Sequence, residues 1–124
     1  MSWYLTIRSD DHYSMSVATA PLVEFLAAMS ELQQTGPVAF ESAMGQPWVA
    51  ITLAQCSPAG NYASDGTFVP FVNVVELACS DTGDPKWYET LSGRIAAFLG
   101  WSVFEDHEER QVFPPPSKAE RTSY

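Results

Sequence analysis

The stretch FVPFVNVVELAC, residues 68–79, is the segment that decides the fold. Apolar side chains occupy both odd and even positions along it, from Val69 to Leu77. A strand with apolar groups on both faces is typical of the interior of a sheet, so we predict that this run is central. Pro70 cannot donate a ladder hydrogen bond, which indicates an edge or a strand end at that point.

Other strands are predicted on either side of this run. Apolar and polar side chains alternate from Trp3 to Arg8, which predicts a strand with one apolar face. Shorter apolar runs bounded by Gly, Pro or charged residues predict four more strands. These lie at 38–42, 48–56, 101–104 and 110–113.

Two segments have apolar residues at helical spacing. The first follows Thr19, a candidate N-cap, and the second lies between Asp84-Pro85 and Gly100, which suit the start and stop of a helix. The apolar stripes that face a core are Leu22, Phe25, Leu26, Met29 and Leu32 in the first and Trp87, Leu91, Ile95, Phe98 and Leu99 in the second.

The resulting order, β-α-β-β-β-α-β, predicts an α+β fold. We expect a mostly antiparallel sheet of four to six strands with two helices on one face. The length suits a single domain over residues 1–113. The Pro-rich, polar tail at 114–124 is predicted to be disordered.

The net charge of the chain restricts the classes of partner it can bind. Fifteen Asp and Glu stand against six Lys and Arg, a formal net charge of −9. Nucleic acids and anionic membranes require basic patches, so we expect neither as a partner. A basic protein is favoured, because opposite charge accelerates encounter. The other reading is that the acidity only keeps the protein in solution.

The chain is expected in the cytoplasm. Its first residues lack a basic segment followed by an apolar run, and no apolar stretch approaches the roughly 20 residues of a membrane span. Cys56 and Cys79 fit a reducing compartment as small buried thiols rather than a disulfide.

Two clusters combine carboxylates with a histidine, at 10–12 and at 105–109. Adjacent residues in a loop rarely converge on one ion, so two solvated turns are favoured over a metal site. Both cysteines lie at the ends of apolar strands, which favours buried, inert thiols over nucleophiles. Glu41 and Glu76 interrupt apolar strands, and a place on the solvent face of a strand is favoured over an acid–base pair. A Gly-x-Ser-x-Gly elbow and a phosphate-binding glycine loop are also missing. We therefore assign no catalytic residue, cofactor or metal, and we do not expect an enzyme.

Aromatic and acidic residues give a candidate partner surface. Trp48, Ala50, Thr52 and Ala54 share one strand face, which is an exposed apolar patch unless the C-terminal segment folds over it. Carboxylates would meet Lys or Arg of a partner, with an aromatic side chain as anchor. The candidate partner-binding residues are Asp10, Asp11, Trp48, Tyr62, Asp65, Glu105, Asp106, Glu108 and Glu109.

The layout resembles that of the small, acidic cytosolic immunity proteins that bacteria carry beside polymorphic or contact-delivered toxins. The resemblance covers residues 1–113 and depends on size, the αβ layout and general sequence character. It implies a cognate toxin bound tightly in the cytosol, with its active site plugged or its substrate path covered, and no enzymatic activity.

Two other classes of protein stay open. One is a small α+β enzyme or ligand-binding domain with a pocket between helices and sheet, where His12, His107 and two carboxylates would converge. The other is a homodimeric structural protein whose apolar sheet faces pair.

Overall fold

The structure is a computed structural model that describes residues 2–57, 67–107 and 109–114. It confirms the α+β class, with two helices and a mostly antiparallel sheet. Its elements are β1 (Ser2–Arg8), β2 (Val17–Ala18), α1 (Thr19–Ala27), β3 (Leu32–Gly36), β4 (Ala39–Ser42), β5 (Val49–Ala54), β6 (Phe71–Val72), β7 (Val74–Ser80), α2 (Pro85–Leu99), β8 (Ser102–Glu105) and β9 (Arg110–Phe113).

Seven strands form the main sheet in the order β3-β4-β5-β7-β1-β8-β9. Each neighbouring pair is antiparallel. β7 is the middle strand, between β5 and β1, which confirms the central position predicted for the most β-rich run. Val75, Leu77 and Cys79 are buried there on the core face, and Val74 is buried on the opposite face.

The predicted strand at 68–79 is interrupted at Asn73, so Phe71–Val72 leaves the main sheet and pairs with Val17–Ala18. The buried Asn73 side chain accepts from the Cys56 amide at 2.6 Å and donates to the Cys56 carbonyl at 2.8 Å. It also donates to the Tyr13 carbonyl at 3.1 Å. These bonds connect the loop after β1 to the end of β5.

One face of the sheet carries the core. The register places Leu5, Leu77, Ile51 and Phe40 opposite one another across four strands, and all are buried. The apolar sides of both helices pack into the same cluster, as predicted. Tyr88 of α2 is fully buried, and its hydroxyl donates to the Trp48 carbonyl at 2.5 Å.

The ends of α2 agree with the sequence prediction. Asp84 is the N-cap, and its carboxylate accepts from the Lys86 amide at 3.0 Å, while Pro85 begins the helix. Gly100 ends it with a φ of 76°, a conformation that costs glycine little. The buried stripe begins at Tyr88 rather than Trp87, and Phe98 is exposed.

The predicted extent of the first helix is wrong. The helix ends at Ala27, and Leu32 begins a strand that pairs with β4, from Leu32 opposite Ser42 to Gly36 opposite Ala39. Leu32 is buried in this strand. The pairing raises the number of strands in the main sheet to seven, above the expected four to six. Thr19 lies inside the helix rather than capping it, and its hydroxyl donates to the Val69 carbonyl at 2.5 Å.

The last described strand extends the sheet at its edge. β9 pairs with β8, and the Phe113 ring lies beside Gly93 of α2, where an added Cβ would be 3.2 Å from the ring. Phe113, in the described part of the C-terminal segment, therefore packs beside α2. Residues 115–124 of the predicted tail lie outside the described residues.

Neither helix combines the length and the apolar character that crossing a membrane requires.

Candidate functional site

The sheet face opposite the helices carries the candidate site, and we call it the open face. Along β1, Tyr4, Thr6 and Arg8 alternate with the core residues, so they belong to this face. The register places Thr6 opposite Glu76 of β7 and Phe104 of β8. The open face in this region is therefore polar and aromatic.

An acidic hollow of about 350 Å³ lies on the open face. Thr6, Arg8, Tyr13 and Phe104 contribute to its lining, and Arg8 is the single cation among its described lining residues. Its acidic lining residues are Asp11, Glu76, Glu105, Asp106 and Glu109. Negative charge from three separate parts of the chain is therefore concentrated at one place.

Arg8 is held rigidly at the edge of this hollow. Its guanidinium carbon lies 4.1 Å from the centroid of the Phe104 ring, a cation–π distance. Its Nη2 donates to Asp11 Oδ1 at 3.1 Å, and its Nε donates to the Asp10 carbonyl at 3.1 Å. With five acidic residues and one arginine in its described lining, the hollow keeps an excess of negative charge.

The surroundings of Asp106 perturb its carboxyl group. Partial desolvation raises its pKa, and the negative charges of Glu76 and Glu105 act in the same direction. A hydrogen bond from Thr6 Oγ1 to Asp106 Oδ1, 2.6 Å long, and the charge of Arg8 oppose this rise. An additional cation beside Asp106 would stabilise its ionised form.

A second hollow, of about 430 Å³, adjoins the first, and we call it the aromatic hollow. Its lining residues are Ser2, Trp3, Tyr4, Asp81, Asp106 and His107. Asp106 lines both hollows. Tyr4 is 41% exposed, so an aromatic ring and a carboxylate are presented together at the start of β1.

The loop between β1 and β2 closes one end of the acidic hollow. The Asp10 carboxylate accepts from the backbone amides of His12 at 2.9 Å and Ser14 at 3.1 Å, and also from the Ser14 hydroxyl. The hydrogen bonds from Ser14 and His12 hold the pKa of Asp10 below its ordinary value. Tyr13, at a φ of 56°, packs on the buried Ala54, Cys56 and Val74.

The structure brings four of the predicted partner-binding residues into one hollow. Asp11 comes from the first acidic cluster, and Glu105, Asp106 and Glu109 come from the second. The described residues Asp11, Asp106 and Glu109 lie in exposed turns, as expected, and because β1 and β8 are neighbours both clusters come to the same face. The Asp10 carboxylate instead accepts hydrogen bonds within the loop between β1 and β2.

Trp48, another predicted partner-binding residue, does not line either hollow. Trp48 is 46% exposed just before β5, away from both hollows, with its carbonyl bonded to Tyr88. Tyr62, Asp65 and Glu108 lie outside the described residues.

The predicted apolar patch is not found in the described part of the open face. Ala50 lies opposite Ala78 and Thr52 opposite Glu76, so that region is small and polar. Ala54 and Val74 lie beneath Tyr13 rather than facing solvent.

The space between helices and sheet is filled by buried side chains such as Leu22, Leu26 and Tyr88. Among the described residues, core side chains therefore occupy the place where the enzyme alternative expects a pocket. Among the residues that line the two hollows in the described ranges, His107 supplies the single imidazole. The described residues hold no group of three or more His, Cys, Asp or Glu placed to bind a metal ion.

Sequence reasoning did not assign Tyr4, Thr6, Arg8, Glu76 or Phe104 to the site. The alternation of β1 already separates its polar positions from its core positions, and Glu76 interrupts an apolar strand. These signals identify solvent-facing positions, but the order of strands in the sheet decides which of them become neighbours.

Comparison with known proteins gives no relative: no protein-family model matches this chain, and neither a curated protein nor a solved structure is similar to it.

Proposed function

We propose that this protein is an acidic protein-binding module of the cytosol, an immunity protein that neutralises a cognate bacterial toxin by direct binding through its open face. The observation that carries the proposal is the acidic hollow, where five acidic residues surround an arginine that is already engaged by Asp11. A surface of this kind is complementary to a cluster of Lys and Arg on another protein.

Electrostatics favours a cationic partner over a neutral one. Desolvation is the main cause of the raised pKa of Asp106, and repulsion from the negative charges of Glu76 and Glu105 adds to it. A partner's Lys or Arg would relieve the repulsion on binding. Long-range attraction by the net charge of −9 would also accelerate encounter with a basic surface.

The aromatic residues supply contact area beside the charges. Tyr4 is exposed at the junction with the aromatic hollow, and tyrosine is enriched among residues whose truncation weakens an interface most. Its backbone belongs to β1, which is paired on both sides. Little conformational freedom is therefore lost when a partner contacts it.

The test is co-expression with the protein encoded beside this gene. We expect that protein to be basic and to arrest growth alone, and we expect co-expression of the full chain to restore growth. Substitution Glu76→Gln with Asp106→Asn should abolish or weaken the rescue, since both carboxylates line the acidic hollow. Glu24→Gln with Glu89→Gln, which removes the same charge from the two helices, should rescue like the wild type.

Three results would contradict the proposal. They are a neighbouring product without toxicity, toxicity that the wild-type chain does not relieve, and equal loss of rescue in the open-face and helix variants. A stable homodimer formed through the open face would favour the structural-protein alternative instead, and native mass of the wild type and the open-face variant measures it.

A further inference from the structure

The strand register places one carboxylate on each side of the start of β1. On one side Ser2 lies opposite Ser80, the last residue of β7, and Asp81 follows directly. On the other side Leu5 lies opposite Glu105, the last residue of β8, and Asp106 follows. The two acidic residues therefore lie on either side of the start of β1, where Tyr4 belongs to the open face and the Trp3 ring packs toward the core.

Hydrogen bonds fix the residues that line the aromatic hollow. The Asp106 amide donates to the Tyr4 carbonyl at 3.1 Å, which fixes Asp106 beside that residue. The Trp3 indole donates to the Ser80 carbonyl at 3.2 Å, and its ring meets Tyr88 edge-on with centroids 5.6 Å apart. The aromatic hollow is thus formed before any partner arrives, which reduces the entropic cost of binding.

We propose that the aromatic hollow binds an arginine side chain of the protein partner; the inference rests on the proposed function and names the group that this surface recognises. A guanidinium is planar and cationic, so it can stack on an aromatic ring while donating to carboxylates at its edge. Asp81 and Asp106 supply carboxylates on both sides, and the hollow's 430 Å³ is within the usual range for ligand sites.

At the other end of β1 the protein already holds a guanidinium between an aromatic ring and a carboxylate. Arg8 stacks on Phe104 at 4.1 Å and donates to Asp11 Oδ1 at 3.1 Å. That triad shows that an aromatic ring and a carboxylate on this sheet face suit a guanidinium. In the aromatic hollow Tyr4 and Asp106 offer corresponding groups, and the arginine comes from the partner.

Nuclear magnetic resonance titration of the full chain tests the proposal without the partner. The probe is N-acetyl-arginine amide, and the observed signals are the Trp3 indole N–H and the backbone amides of Tyr4, Asp81 and His107. We expect saturable shifts confined to these signals. N-acetyl-citrulline amide, which has nearly the same shape without the charge, should produce none, and the lysine analogue should bind more weakly.

Variants locate the site. Asp81→Asn and Asp106→Asn should each weaken binding of the arginine probe about tenfold, as expected for loss of a charge-assisted hydrogen bond. Glu24→Gln on α1 should leave the affinity unchanged. Tyr4→Leu removes the cation–π partner but keeps an apolar side chain, and it should also weaken binding of the probe. Amide spectra of each variant, compared with the wild type, show whether the fold is intact.

Equal shifts from arginine and citrulline, or arginine shifts spread evenly over the acidic surface, would overturn the proposal. The outcome is separable from that of the proposed function. Probe binding without a neutralised toxin would contradict the immunity function and support the arginine site. Rescue of growth without probe binding would support the immunity function and contradict the arginine site.

Discussion

At the residue scale, Asp106 connects the two hollows, and its ionisation has a measurable effect on folding. Desolvation is the main reason why its pKa in the folded protein lies above the ordinary value of an aspartate. The folded state therefore carries a penalty for the charged form. That penalty is complete above the folded pKa, shrinks as the pH falls from there, and is gone below the unfolded pKa, where the carboxyl group is protonated in both states.

Asp106→Asn should consequently stabilise the protein near neutral pH. Asparagine keeps an oxygen that can accept from Thr6 and removes the repulsion from Glu76 and Glu105. Urea unfolding of both proteins between about pH 7 and about pH 3 measures the difference in unfolding free energy. The advantage of the variant should shrink as the pH falls. An advantage that grows toward acidic pH would contradict the pKa assignment.

The two thiols give a second prediction at this scale. Both cysteines are buried and unbridged, and burial raises the pKa of Cys79 to about 12. Burial also raises the pKa of Cys56. Because the thiolate is the reactive form, iodoacetamide at neutral pH should modify neither residue in the folded protein and both in urea. Rapid labelling of the native chain would show that one of them is accessible.

The sequence alone could identify many of the site's residues but not their arrangement. The acidic residues of both clusters, including Asp11 and Asp106, were selected from charge alone. Their convergence with Glu76 depends on β7, β1 and β8 being adjacent in the sheet, which no local pattern encodes. Asp10 appeared equivalent to Asp11, although local hydrogen bonds use its carboxylate in the loop.

At the scale of elements, α2 was predictable because its end signals are local. Asp84 accepts from the Lys86 amide at 3.0 Å, and no competing tertiary contact is needed to explain the helix start. Asp84→Ala should lower the unfolding free energy by about 1 kcal/mol, the usual contribution of an N-cap. Chemical denaturation measures it, and Asp84→Ser, which can still cap, should restore most of the loss.

An Asp84→Ala variant as stable as the wild type would mean that the cap contributes nothing to folding. Equal destabilisation by Ala and Ser would instead indicate a role of the carboxylate charge rather than the hydrogen bond.

The end of the first helix is predicted less well because the local pattern favours the wrong element. Leu32 continues the helical stripe from Met29, whereas the rest of β3 is polar or glycine and has no alternating apolar pattern that would indicate a strand. Pairing with β4 and packing against the core decide in favour of the strand. Tertiary contacts therefore override local spacing at this boundary.

At the scale of the whole molecule, the sheet has two faces with different roles. The helices cover one face, and the core between them and the sheet is closely packed. The other face carries the acidic and aromatic hollows, which meet at Asp106. The proposed function assigns this second face to a basic protein partner, with an arginine in the aromatic hollow.

The rate of association with the neutralised toxin, measured against ionic strength, tests this account most directly. For the wild type we predict a rate that falls steeply with added salt. Glu76→Gln with Asp106→Asn should slow association about tenfold at low salt and flatten the salt dependence, while Glu24→Gln with Glu89→Gln should change both far less. A wild-type rate that is indifferent to salt, or equal effects of the two double variants, would contradict the claim that the open face captures its partner by charge.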